Sequence, residues 1–169
     1  MSRHRIPQTF SAANIGGLTL SLGVCFAVYL AGGLLTDTSV KTWYPELVKP
    51  ALTPPPIAFP IAWSLLFLLM ALAAWRVWRQ VGWQQGRGAL LLYALQLALN
   101  IGWSWLFFGQ QQIGGALAEI GLLWLAIAAC IVAFARHDRL AALMLVPYLL
   151  WVSFAAWLNF SLWQLNPSA

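Results

Sequence analysis

The chain has 169 residues, of which 62% are hydrophobic and 8% charged, and its mean hydropathy is +0.77. Such a composition excludes a soluble globule with a polar surface and leaves a membrane protein. The net charge of +5 is scattered, without a basic run, so nucleic acid is not an expected partner and anionic lipid is.

Apolar runs of about 20 residues cross the hydrocarbon core as helices. Five can be drawn, roughly Asn14–Leu35, Ile57–Trp78, Ala89–Phe108, Gly114–Ala135 and Leu140–Leu165. The expectation is therefore an all-α membrane protein, a single domain over residues 1–169, with five transmembrane helices. No cleaved signal peptide is expected, because Ser2-Arg3-His4-Arg5 leads through polar residues into a span of full length. Arg3, Arg5, Arg76, Arg79, Arg87, Arg136 and Arg139 fall on one side of these spans and only Lys41 and Lys49 on the other. The positive-inside rule then puts the N-terminus in the cytoplasm and the first connection outside. Cys25 and Cys130 lie within spans, with no CxxC or Cys/His cluster, and His4 and His137 lie outside them. Neither a metal site nor attached haem is signalled.

The first span contains Gly16, Gly17, Gly23, Gly32 and Gly33. Such residues allow close helix approach in lipid, or leave room for a ligand. The connection that follows holds most of the prolines. From Trp43 to Trp63 it reads WYPELVKPALTPPPIAFPIAW. Proline fixes φ and biases the preceding residue to extended geometry, so this stretch is expected to be a stiff cap over a binding site, with Trp43 adding apolar contact and Lys49 a charge.

Phe59, Trp63, Phe67 and Met70 share a face of the second span. Trp75, Trp78 and Trp83 bracket its other end and read as an interfacial belt. On the third span Gln96, Asn100, Trp103 and Phe107 form one stripe, and Ala94, Ala98 and Gly102 a small-residue ridge roughly opposite. Carboxamides at mid-membrane need partners, so the stripe is expected to face the interior, as interhelical glue or as ligand contact. The ridge is then free for a homodimer contact. Glu119 is an acid inside the fourth span and so a functional candidate, but its shallow depth also permits a structural hydrogen bond or snorkelling to the interface, and the structural role is expected. The fifth span carries Pro147-Tyr148, a kink signal, followed by Trp151, Ala155 and Asn159 on one face. A large ring, a gap and a carboxamide suit a flat aromatic ligand.

The segments Trp43-Tyr44, Lys49-Pro50, Pro54-Pro55, Phe59 and Trp63, then Gln96 to Asn100 with Trp103 and Phe107-Phe108-Gly109, then Pro147 to Trp151 with Ala155 and Leu158-Asn159 resemble the translocator protein family. That family is also called tryptophan-rich sensory protein, or TspO. The resemblance implies a cavity closed by the long first loop, frequent homodimers, and binding of porphyrin, haem, and isoquinoline carboxamide or benzodiazepine-type ligands. No cofactor is implied beyond such a ligand. It implies ligand contacts at Trp63, Asn100, Trp103, Trp151 and Ala155, with Phe59, Phe67, Tyr148 and Asn159 on the same stripes. Two departures stand out. Ala51-Leu52 follows Lys49-Pro50 where an aromatic is common, and the tail Trp163 to Pro167 lacks the Tyr and basic residue of the cholesterol-recognition pattern, so sterol is expected less than porphyrin.

The function expected is a receptor or carrier for tetrapyrroles in a bacterial inner membrane, with a sensory or transport role. The alternative is light-dependent porphyrin degradation in the same cavity, with Trp63 and Trp151 as the reacting indoles. No Ser/His/Asp set, paired carboxylates or metal cluster suggests another enzyme.

Overall fold

A computed structural model describes residues 12–167. Arg3, His4 and Arg5 lie outside the described residues. Helix α1 runs Ala12–Lys41, α2 Ala58–Ser104, α3 Ile113–Ala135 and α4 Arg139–Leu165. A short 3₁₀ turn, Tyr44–Glu46, opens the first connection, and a π-helical turn, Trp105–Gly109, prolongs α2. No strand occurs among the described residues.

Among the described residues four helices, all long and apolar enough to cross a membrane, thus stand where five separate ones were expected. The difference lies between Trp78 and Ala89, where a loop was expected and the backbone stays helical on both sides of Gly82. Gly82 alone departs, at φ 65° and ψ −175°. Glycine lacks the Cβ that makes this region costly, so one residue breaks the helix without a loop. The break is a reversal. Gln96 Nε2 lies 3.9 Å from Met70 Sδ, whereas residues 26 positions apart on an unbroken helix stand about 39 Å from one another. We call the two parts the first and second arms of α2.

The core lies between these arms, α3 and α4, around Met70, Val77, Ile127, Phe134 and Ala141, all fully buried. Most of the stripe expected on the second span is here, and Gln96, 1% exposed, serves as interior glue to Met70. A second cluster around Phe107, Ile113 and Leu162 closes the opposite end beneath the proline-rich connection.

Helix α1 attaches through a few specific contacts. Trp75 Nε1 donates to the Asn14 carbonyl at 3.0 Å, Ser21 Oγ to the Ala71 carbonyl at 2.7 Å, and Cys25 Sγ and Tyr93 Oη share a hydrogen bond of 2.9 Å. A Cβ on Gly17 would overlap the six-membered ring of Trp78. Trp75 and Trp78 therefore clamp α1 as well as marking the membrane boundary, while Trp83, 56% exposed, fits the belt alone. Gly17→Ala should force α1 away from Trp78 and cost about 1–3 kcal/mol, the usual range for overpacking. Thermal unfolding in detergent measures it, and an unchanged midpoint would mean that the ring moves aside freely.

Asp138 joins three elements at the basic end. Its Oδ1 caps α4 by accepting from the Leu140 and Ala141 amides at 2.9 and 3.2 Å, and its Oδ2 accepts from Gln80 Nε2 at 2.8 Å and pairs with Arg76 Nη2 at 2.8 Å. The reversal of α2 and the α3–α4 turn are thereby locked together. The partners of Asp138 on α2 lie about 60 positions away, where no local sequence pattern points to them.

Candidate functional site

A cavity of about 560 Å³ opens under the proline-rich connection. Its first wall is α1, through Tyr29, Gly32, Gly33 and Thr36. The glycines there leave space, whereas Gly17 serves close packing against Trp78. The first arm of α2 contributes Phe59, Trp63 and Phe67, the second arm Asn100 and Trp103, and α4 Trp151, Ala155 and Asn159. Lys49, Pro54 and Pro56 stand at the mouth.

Two of the expected contacts lie elsewhere. Trp43 does not line the cavity; its ring packs edge-on against Phe107 at 5.6 Å between centroids, so it braces the connection from behind. Tyr148 sits one layer deeper, 1% exposed, where its hydroxyl accepts from Asn100 Nδ2 at 3.1 Å and its ring meets Trp63 at 6.2 Å. It positions Asn100 and Trp63 and stays out of the cavity. Tyr148 carried the right chemistry on the right helical face, but depth behind a wall is not encoded in periodicity.

The polar groups are largely committed. Asn159 Oδ1 accepts from Trp103 Nε1 at 3.0 Å and its Nδ2 donates to the Ile113 carbonyl at 2.9 Å. It holds the Trp103 indole in place instead of offering a free carboxamide. Lys49 Nζ donates to the carbonyls of Pro45 and Leu47 at 3.1 and 3.3 Å and stands 4.9 Å from the Tyr44 ring centroid. Its charge is held by the lid itself. Burial pushes the Tyr44 phenol above its ordinary pKa, so that ring stays neutral beneath the cation.

Trp63 and Trp151 do not face each other across the cavity. They meet edge to face on one wall, 6.4 Å between centroids and 82° between planes, and Phe59 packs on Trp151 at 6.0 Å. Trp103 stacks on Phe107 at 5.1 Å. The interior thus offers broad aromatic surfaces with few free polar atoms, which suits a flat apolar ligand.

Glu119 is outside the cavity. Both carboxyl oxygens are buried without a hydrogen-bond partner, and a Cβ on Gly102 would lie 3.4 Å from Oε1. The structural hydrogen bond expected of it is absent among the described residues. On the small-residue ridge Ala94 and Ala98 are exposed, while Gly102 is turned toward Glu119.

Sequence reasoning missed the fastening of the lid. Asn166, just beyond α4, accepts from the Val48 amide at 2.9 Å and donates to the Val48 carbonyl at 3.0 Å and to the Leu162 carbonyl at 2.9 Å. A polar residue at a helix end is a weak signal, and its partner lies 118 positions away. Asn166→Ala should raise hydrogen exchange at the Val48 amide by about three- to tenfold, as expected for the loss of net hydrogen bonding near 1 kcal/mol. Unchanged exchange would mean that the prolines hold the lid without it.

Residues 21–164 match the model of the TspO/MBR family. The tryptophan-rich protein TspO of Chlorobaculum tepidum is 45% identical over 152 residues, covering 89% of this chain and 96% of that protein. Protein CrtK of Rhodobacter capsulatus is 41% identical, covering 84% and 92%, and the translocator protein of Homo sapiens 38%, covering 89% and 88%. With a family match across most of its length and four helices apolar enough to span a bilayer, the chain is an integral membrane protein belonging to the TspO/MBR family.

Proposed function

We propose that the protein binds flat hydrophobic ligands, tetrapyrroles such as protoporphyrin IX or haem foremost, in the aromatic cavity beneath the lid, and that it senses or moves them. The observation that carries this reading is the cavity itself: about 560 Å³, with Trp63, Trp103 and Trp151 on its walls and a proline-stiffened cover. The relatives' names, tryptophan-rich sensory protein and translocator protein, support a sensory or transport role. In this reading the two arms of α2 cross the membrane separately, giving five crossings, with the basic end in the cytoplasm and the lid outside a bacterial inner membrane. Isoquinoline carboxamide and benzodiazepine-type compounds fit the same cavity, and the exposed Ala94 and Ala98 give a surface for a homodimer.

The contact between Trp63 and Trp151 favours a second reading, in which photoexcited porphyrin reacts beside paired indoles. Titration of the purified protein with protoporphyrin IX in the dark, then under illumination, separates the two. Saturable quenching that persists unchanged in light supports a carrier or sensor; loss of the porphyrin absorption only in light, and only with protein present, supports degradation. Absence of saturable binding in the dark would remove both.

A further inference from the structure

A second depression lies on the outside of the bundle, far from the lid. It runs between the second arm of α2 and the basic end of α3, has a volume of about 410 Å³, and is lined by Leu92, Ala128, Ala129, Val132, Ala133 and Arg136. The α3 residues recur at i, i+1, i+4, i+5 and i+8, so they form one face, and the three alanines hollow it out beside Leu92. From Arg136, the residue after the last of α3, to Ala128 the groove descends about 12 Å along the helix axis. It therefore begins at headgroup level and ends among acyl chains. Arg136 is exposed, and among the described residues its guanidinium has neither an ion-pair nor a hydrogen-bond partner.

We propose that this groove is a binding site for one anionic phospholipid, with its phosphate on Arg136 and one acyl chain laid along Ala129 and Ala133. The charge asks for an anion, and no acid lines the groove. The apolar remainder asks for a slender hydrocarbon, because a lipid-facing hollow that stays empty forfeits its contacts. Basic pockets at the cytoplasmic ends of membrane helices recognise anionic headgroups in this way. A second copy of the chain fits less well: a twofold contact centred here would bring two Arg136 cations together with no groove residue to offset them. The site is independent of what the inner cavity holds.

Native mass spectrometry of the full chain in detergent, equilibrated with equal phosphatidylglycerol and phosphatidylcholine, tests the proposal. Wild type should retain one phosphatidylglycerol in preference, and free glycerol phosphate should not compete for it. Arg136→Gln, which removes the charge, and Ala129→Leu, which fills the exposed floor of the groove, should each lower that occupancy about fivefold. Arg136→Lys should keep most of it. Arg139→Gln, at the same end but off the groove, should leave it unchanged. Equal retention of the two lipids by wild type, equal losses from Arg136→Gln and Arg139→Gln, competition by glycerol phosphate, or a dimer that Ala129→Leu dissociates would each overturn it. Because Ala129 is exposed, its variant keeps the test valid should the charge variants prove unstable.

Discussion

Replacing Asp138 with alanine is expected to lower the unfolding free energy by about 3–5 kcal/mol, the range for breaking one partner out of a buried ion pair. The Asp138 side chain is 5% exposed and that of Arg76 23%, so removal of the carboxylate leaves a guanidinium partly desolvated, with its Nε already lacking a partner. The same change uncaps α4 and frees Gln80. Asp138→Asn retains an oxygen for the cap and should lose less. Denaturant titration in micelles measures both variants. A loss below about 1 kcal/mol from alanine would place the pair with solvated surface bridges and show that water reaches this end freely. Glu119→Gln is the contrasting case, near neutral, since no partner depends on its charge.

Trp151→Ala is expected to weaken protoporphyrin IX binding by about 1–3 kcal/mol, the range for loss of one aromatic stacking surface. Trp63→Ala should fall in the same range. Since the two rings touch on one wall, the double variant should lose less than the sum, because each ring holds the other's orientation. Quenching titrations in the dark give the three affinities. Strict additivity would mean that the ligand meets the two indoles independently, and unchanged affinity in both single variants would move the ligand off this wall.

What could be read from the chain follows the length scale of the physics. Apolar runs and basic asymmetry are local or cumulative properties, so α3 and α4 appear in sequence close to their observed bounds, while α1 runs on past the expected Leu35 to Lys41. The stripes of Trp63 and Phe67, Asn100 and Trp103, and Trp151 and Ala155 reach the cavity because helical periodicity fixes a face. Gly82 escaped because Gln84-Gln85-Gly86-Arg87-Gly88 reads as a polar connection, although the structure holds it as helix. Asp138 with Arg76, and Asn166 with Val48, join positions far apart in the chain, which no local pattern relates. Asn159 shows the remaining limit. Its type and face were legible, but its donor and acceptor were already taken by Trp103 and Ile113.

The one-residue reversal at Gly82 also shapes how the chain meets a protease. Proteases bind substrate as an extended strand, and cleavage concentrates where several residues can leave regular structure together. Between Trp78 and Gly88 only one residue is non-helical, so this connection offers no such strand. The longer non-helical stretch is at the other end, from Leu47 to Pro56, and four of its ten residues are prolines. In the folded molecule these two connections should therefore resist digestion, and a first cut in the lid would report that Asn166 had let go.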